Sequence, residues 1–185
     1  MKLSNTTQEL YPQTTMSSPY VFLLASIALA FTCTCVAQTS WISRICSMSR
    51  NSIVCYRALM SDPRSSYNDI KILGEIIIYK SQAATQAAIN VTKSIENNDN
   101  KEIIETCIET QNDAKDMLRE CLVLLEKARY DEPSKSALNN AASAALTDVG
   151  TCDDEFGSSE PPKLKRATRY AQDLIDVLLV ISKLI

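Results

Sequence analysis

The chain has 185 residues, 45% of them hydrophobic, and a formal net charge of −3 at pH 7. It contains no histidine and only three glycines, which excludes Ser-His-Asp and Cys-His catalysis, histidine-based zinc sites and the glycine-rich phosphate-binding fingerprints. The negative charge gives no electrostatic footprint for nucleic acid. The scarcity of glycine leaves few turn residues for a β protein, so we expect an all-α fold. The missing catalytic and ligand residues predict a protein that is not an enzyme and uses no cofactor or metal.

Residues 1–37 are interpreted as an N-terminal segment that contains a signal peptide. The apolar run Val21–Phe31 is eleven residues long, which suits a signal-peptide core better than a membrane span of about 20 residues. Small residues permit cleavage after Ala37, which would leave a mature domain of residues 38–185. The alternative is an uncleaved membrane anchor, and a start at Met16 would give a leader of more usual length.

The mature chain keeps five of the seven cysteines: Cys46, Cys55, Cys107, Cys121 and Cys152. In an oxidising compartment four of them can pair. Cys46 and Cys55 are nine residues apart around a polar tip, and a bridge between them would clip a helical hairpin arm over residues 38–66. Cys107 and Cys121 are about 21 Å apart on one helix and cannot bridge each other. Cys152 would pair with one of these two, or the thiols would stay unpaired as small hydrophobes.

Four long amphipathic segments are predicted in the remainder of the chain, residues 67–185. Apolar residues recur there every three or four positions, which is the period of a helix packed on one side. The four helices are predicted at about Ile70–Asn97, Ile103–Arg129, Ser134–Phe156 and Leu164–Leu184, with Asp69 and Ser134 as N-caps. Short polar loops join them, and this pattern is typical of an up-down-up-down four-helix bundle.

The same spacing predicts which side of each helix is exposed to solvent. On the first helix Ala83 and Ala87 are assigned to the buried side and Asn90 to the exposed side, where Asn90-Val91-Thr92 is a glycosylation sequon. On the last helix Tyr170 is assigned to the seam. The charged residues of that helix are predicted to form a solvated face: Lys165, Arg166, Arg169, Asp173 and Asp176.

Several of these residues resemble the plant invertase and pectin methylesterase inhibitor family. The strongest match is Ser143-Ala144-Ala145-Leu146-Thr147 followed by Thr151-Cys152-Asp153-Asp154-Glu155-Phe156. It is similar to that family's SAALT sequence and to its Thr-Cys pair with an acidic residue and phenylalanine. Cys107-Ile108-Glu109 and the Cys46 and Cys55 pair also match, although the family commonly has tyrosine in place of Gln111. The resemblance covers about Ile42 to Ile185.

The resemblance implies disulfides between Cys46 and Cys55 and between Cys107 and Cys152. Cys121 has no counterpart in the family pattern, and its place on an apolar stripe favours a buried, inert free thiol. The alternative is a reactive or intermolecular cysteine, which would need exposure and a lowered pKa.

The resemblance also implies a secreted inhibitor that docks on a carbohydrate-active enzyme, with pectin methylesterase favoured over acid invertase as the partner. It implies no membrane partner after signal cleavage, and a location in the cell wall (apoplast), with the vacuole as the alternative. The chain departs from the Pro-Lys-Phe sequence of some invertase inhibitors, because it reads Pro133-Ser134-Lys135. The residues expected to contact the target are Asp131, Glu132, Lys135, Asp148, Thr151 and Asp153.

Three other classes of protein remain open on the sequence. A structural or signalling protein could use the same bundle without inhibiting an enzyme. A lipid carrier would normally have adjacent Cys-Cys and Cys-x-Cys pairs, which the mature chain lacks. An enzyme or metal protein would have to use Asp153-Asp154-Glu155 as a carboxylate cluster, and a solvated helix end is the simpler interpretation.

Overall fold

The computed structural model describes residues 40–128 and 130–185. The signal peptide predicted within residues 1–37 lies outside this part of the chain. Over the described residues the secondary structure consists of six α-helices and two short 3-10 turns, at Pro63–Tyr67 and Gly157–Ser159. The helices are α1 (Trp41–Met48), α2 (Ser52–Met60), α3 (Ile70–Ser94), α4 (Lys101–Ala128), α5 (Glu132–Phe156) and α6 (Pro162–Leu184).

The four long helices form the predicted up-down-up-down bundle. Each of them packs against the next one along the chain, and α6 returns to pack against α3, so that the four close into a ring. The short connections between them require neighbouring helices to run antiparallel. A large apolar core fills the bundle and continues under the hairpin. A smaller cluster lies at the bundle end and consists of Ile104, Cys107, Cys152, Phe156 and Leu164.

No helix in residues 40–128 and 130–185 combines the length and the hydropathy required to cross a membrane.

Two helix starts show how a single aspartate sets the boundary. Asp69 caps α3 as predicted, with its Oδ1 accepting from the backbone N–H of Lys71 at 2.8 Å. The prediction that Ser134 caps α5 is wrong: Asp131 is the cap, and its Oδ1 accepts from the Ser134 N–H at 2.8 Å. Pro133 then lies in the first turn, where its missing N–H is not needed. The predicted loop before α5 is therefore that helix's first turn.

Two helix ends are set by local geometry. α3 ends at Ser94, before the predicted Asn97, because asparagine side chains take over the backbone groups of the turn. Asn100 Nδ2 donates to the carbonyl oxygen of Ile95 at 2.9 Å, and Asn97 Oδ1 accepts from the Asp99 N–H at 2.9 Å. α5 ends at Gly157, whose φ of 52° lies in the left-handed region that favours glycine.

The N-terminal helical hairpin consists of α1 and α2 and is clipped by the Cys46–Cys55 disulfide, with the two Cα atoms 5.4 Å apart. Its tip is fixed to α6. The Asp173 carboxylate accepts from Arg50 Nη2 at 3.0 Å and from Asn51 Nδ2 at 2.7 Å. Asp176 accepts from the Arg50 backbone N–H at 2.7 Å. The prediction that Asp173 belongs to a solvated face is wrong, since it is 5% exposed.

The predicted faces of α3 and α6 need correction at a few positions. Ala83 and Ala87 of α3 are exposed, and Tyr170 of α6 is 43% exposed rather than buried in the seam. Fully buried threonines occupy the α3 interface instead. Thr85 donates its hydroxyl to the Ser81 carbonyl at 2.9 Å, and this bond to its own helix lets a polar side chain pack in the core.

We predict that Asp173→Ala loosens the hairpin from the bundle. The change removes hydrogen bonds from Arg50 and Asn51 to a buried carboxylate, which should lower the free energy of unfolding by about 1 to 3 kcal/mol. Urea denaturation followed by circular dichroism measures the loss. Asp154→Ala, at an exposed site, is the control and should cost less than about 0.5 kcal/mol. Equal stability of the two variants would contradict the role given to Asp173.

Candidate functional site

The six residues predicted to contact a target fall into two separate groups. Asp131, Glu132 and Lys135 lie at the start of α5, whereas Asp148, Thr151 and Asp153 lie near its other end. A helix rises 1.5 Å per residue, so residues of the two groups are roughly 20 to 30 Å apart. They cannot form one compact site, although a partner lying along the whole of α5 would reach both.

The first group borders a polar cleft between the start of α5 and the end of α6. The cleft has a volume of about 410 Å³ and is lined by Glu132, Lys135, Ser136, Asn139, Asn140 and Ser182 to Ile185. Glu132 and Lys135 form a surface ion pair at 2.8 Å, which contributes little to stability. Asp131 is committed to capping α5, and hydrogen bonds from Ser134 hold the pKa of its carboxyl below the usual range.

The exposed side of α5 is a stripe of short polar side chains. Its members recur every three or four residues and are Ser136, Asn140, Ser143, Thr147, Thr151 and Asp154. Thr151 donates its hydroxyl to the Thr147 carbonyl at 3.2 Å, and Thr147 donates to the Ser143 carbonyl at 3.2 Å. Because the hydroxyl protons of these two threonines bond within the helix, the stripe presents methyl groups and acceptor oxygens at these positions. The helical periodicity of small polar residues is the sequence signal for this stripe, whose members other than Thr151 were not among the predicted site residues.

An acidic edge runs beside this stripe. Asp148 is half-buried, and its pKa is raised first by burial and then by the nearby charge of Asp113 on α4. Both helices have more acidic than basic residues, with seven acidic and four basic residues in α4 and five acidic and one basic in α5. The α4–α5 side of the bundle therefore carries an excess of negative charge.

Asp153 bonds within the molecule rather than projecting into solvent. Its carboxylate accepts from Thr168 Oγ1 at 2.9 Å and from Gln172 Nε2 at 3.0 Å, and these bonds join α5 to α6. Glu160 packs beside it and is 8% exposed. Burial, followed by the neighbouring charge of Asp153, raises the pKa of Glu160 to about 7. The Glu160 carboxyl therefore stays protonated well above the pH at which an exposed glutamate ionises.

A disulfide and a buried amide brace the same end of the bundle. The Cys107–Cys152 bridge joins α4 to α5 with the Cα atoms 5.0 Å apart. Because it closes a loop of 45 residues, the bridge stabilises the folded state by about 4 kcal/mol in the chain-entropy model. Gln111 lies buried against it, accepting from Thr92 Oγ1 at 3.1 Å and donating to Cys152 Sγ at 3.5 Å. Three bundle helices are thus held together next to Thr151.

Cys121 is a free thiol that lies fully buried in the main core. Burial raises its pKa to about 12. Because the thiolate is the reactive form, this thiol has neither the exposure nor the ionisation that a reactive or intermolecular cysteine requires.

The sequon is split between solvent and core. Asn90 is exposed on α3, while the hydroxyl of Thr92 is buried and donates to the Ala88 carbonyl at 3.0 Å. A sugar on Asn90 would therefore project from the folded bundle without disturbing its core.

We predict that the carboxylate pair makes the fold more stable in acid than at neutral pH. The pKa of Glu160 is higher in the folded protein than in the unfolded chain, so the stabilisation is present at low pH and is lost as the pH rises through about 7. The free energy of unfolding should fall by on the order of 1 to 3 kcal/mol between pH 5 and pH 8.

Chemical denaturation at the two pH values measures this dependence. Glu160→Gln keeps the neutral form's hydrogen-bonding shape and should remove most of it. The exposed Glu155→Gln is the matched control and should behave like the unmodified protein. A pH dependence of the same size in the Glu160→Gln variant would assign it to other groups.

Comparison with known proteins gives a consistent set of matches. A family model described as Plant invertase/pectin methylesterase inhibitor matches residues 40–181. A curated Pectinesterase inhibitor from Actinidia deliciosa is 37% identical over 155 residues, which is 80% of this chain and 81% of that relative.

Two crystal structures share the fold. One is mutant form A of a pectin methylesterase inhibitor from Arabidopsis, with a TM-score of 0.67 and 21% identity over 80% of this chain and 98% of that one. The other is a pectin methylesterase inhibitor from Arabidopsis thaliana, with a TM-score of 0.55 and 21% identity over 79% and 96% of the two chains. Both likenesses support the helical architecture.

Proposed function

The chain belongs to the plant invertase/pectin methylesterase inhibitor family, and from this we propose that it is a secreted inhibitor that docks on a pectin methylesterase and covers its substrate cleft. The observation that carries the proposal is the match with a pectinesterase inhibitor along most of both chains. The protein acts in this proposal by binding alone and supplies no catalytic group.

The rigidity of the bundle supports inhibition by surface docking. Association costs less free energy when the binding surface is already ordered in the free protein. The Cys107–Cys152 bridge and Gln111 brace the bundle at one end of α5. The hairpin is clipped by its own disulfide and fixed to α6 through Arg50. Little of the binding energy would be spent on ordering the inhibitor.

We place the docking surface on the polar stripe of α5, with the acidic edge of α4 beside it. The side chains of the stripe near Thr147 and Thr151 are short, and the exposed Glu155 lies one turn beyond Thr151, so an enzyme surface could approach the helix closely at the threonines. Asp148 and Asp113 would complement basic groups of the target. The cleft beside Glu132 and Lys135 is a second contact region, which only a target lying along the whole helix would reach.

Acid invertase is the second candidate target, because the family description names both kinds of inhibitor. Some invertase inhibitors use a Pro-Lys-Phe sequence at this point, and the corresponding Pro133-Ser134-Lys135 lies in the first turn of α5. The altered sequence and its helical conformation both favour pectin methylesterase.

We predict that the purified secreted protein inhibits a plant pectin methylesterase and leaves acid invertase active, with both enzymes assayed near pH 5. Thr147→Arg and Thr151→Arg insert long cations into the stripe and should each weaken inhibition at least tenfold, about 1.4 kcal/mol. Ala87→Arg is the control, because it adds the same side chain at an exposed site of α3, the helix diagonally opposite α5.

The outcomes separate the parts of this proposal. Inhibition that is equally strong in all three arginine variants would move the docking surface away from α5 while leaving the function intact. Inhibition of invertase alone would reverse the choice of target. A folded protein that inhibits neither enzyme would overturn the inhibitor proposal and favour a structural or signalling role.

We also propose that the protein is secreted to the cell wall, with the vacuole as the alternative destination, and that Asn90 carries an N-linked sugar. Because Thr92 is buried in the folded bundle, the sugar would have to be added before α3 packs against α4. The mature protein should begin at Gln38.

We predict that expression of the full chain in a plant secretory host yields a glycoprotein. Treatment with an N-glycosidase should reduce its mass by one glycan, and Asn90→Gln should have the reduced mass from the outset. N-terminal sequencing of the same sample locates the cleavage site. A mass that the glycosidase does not change would show that Asn90 is unmodified.

A further inference from the structure

The surface of α6 is cationic because its acidic residues are used elsewhere. The helix contains five basic residues and two aspartates. Both aspartates bind the hairpin tip: Asp173 pairs with the Arg50 guanidinium at 3.0 Å, and Asp176 accepts from the Arg50 N–H at 2.7 Å. Four of the five basic residues fall within seven positions: Lys163, Lys165, Arg166 and Arg169.

Three of these cations share one side of the helix with an exposed aromatic ring. We call Lys165, Arg166, Arg169 and Tyr170 the α6 cationic stripe. They border a shallow groove of about 490 Å³, which Pro162 and the Arg50-paired Asp173 also line. Lys165 has a single acidic neighbour, Glu160, at 3.9 Å. Within residues 40–128 and 130–185, Arg166 and Arg169 have no acidic partner within 4.0 Å.

The location of these charges is unfavourable for the helix itself. Lys163 and Lys165 lie in its first turn, where the positive end of the helix dipole repels cations. Like charges three or four residues apart repel each other as well. The cations therefore reduce the stability of α6 in the free protein, and an anionic ligand would relieve both repulsions.

We propose that the α6 cationic stripe binds a polysaccharide that carries carboxylates along its length, of the kind that remains when pectin has lost its methyl esters. A row of cations on a helix matches a linear polyanion better than it matches a compact anion. Guanidinium groups pair with carboxylates through two parallel hydrogen bonds. The ring of Tyr170, 43% exposed, offers an apolar surface for the face of a sugar.

The choice of polymer rests on the proposed function, since the target enzyme cleaves methyl esters of pectin and each cleavage leaves one carboxylate. Polymer on which the enzyme acted before it was inhibited would therefore carry negative charge. The stripe is also close to the braced end of α5, because Thr168 and Gln172 of α6 bind Asp153. The inhibitor could then hold the polymer and the enzyme with neighbouring surfaces.

Direct binding measurements test the stripe without any enzyme. The purified secreted protein is titrated with polygalacturonate in 50 mM salt by calorimetry, and with highly methyl-esterified pectin and dextran sulfate in parallel. We expect polygalacturonate to bind at least tenfold more tightly than either of the other two polymers. The triple variant Lys165→Gln, Arg166→Gln and Arg169→Gln should lose at least tenfold in affinity, and Tyr170→Ala should lose less.

The matched control removes the same charge from other helices: Lys93→Gln, Lys101→Gln and Lys127→Gln. Its affinity for polygalacturonate should stay within twofold of the unmodified protein. Equal losses in the two triple variants would mean that only net charge matters, and this would overturn the site. No binding by the unmodified protein, or equal binding of dextran sulfate, would overturn the proposal.

Inhibition of pectin methylesterase is measured with the same samples, using a short methyl-esterified substrate that is too small to span the stripe. The triple variant at α6 should keep its inhibition. Loss of polymer binding with inhibition retained supports the stripe, and absence of inhibition with polymer binding retained would reject the proposed function alone.

Discussion

The contact between the hairpin tip and α6 determines much of this molecule. Arg50 and Asn51 donate hydrogen bonds to the carboxylates of Asp173 and Asp176. The hairpin held in this way covers part of the bundle core. A buried carboxylate is tolerated only when its hydrogen bonds are satisfied, so Asp173 needs the hairpin in place. The same contact removes both acidic side chains from the exposed surface of α6. One interaction therefore positions the N-terminal arm and sets the charge of the helix beneath it.

The two ends of α5 differ in how firmly they are joined to the rest of the bundle. Its first turn has the Asp131 cap and a surface ion pair, next to an open polar cleft. Its last turns are joined to α4 by a disulfide and to α6 by the hydrogen bonds of Asp153. A docking surface binds with less loss of entropy when its conformation is fixed, which favours the braced end of α5. This contrast favours the region around Thr151 over the cleft beside Glu132.

The sequence predicted the helices well because apolar periodicity reports directly on which residues are buried. It failed where a nearby or distant partner decided the outcome. Asp131 and Ser134 are both good N-caps, and the fit of Pro133 to a first turn decides between them. Thr85 is polar yet buried, because its hydroxyl bonds to its own helix. Asp173 is paired with a residue 123 positions away, a contact that no local pattern reveals. The candidate site residues were chosen by comparison with a family pattern, but only the helix geometry shows that they lie at opposite ends of α5.

The uneven distribution of charge gives the bundle an electric dipole moment across its short axis. Helices α4 and α5 together have twelve acidic and five basic residues, whereas α3 and α6, on the opposite side of the ring, have eight basic and three acidic ones. In the field of a charged partner such a molecule rotates before it makes contact, which raises the fraction of productive encounters. A positively charged surface would meet the α4–α5 side first, and a polyanion would meet the α3–α6 side. Partners of opposite charge would thus bind different, neighbouring faces of one small protein and need not compete.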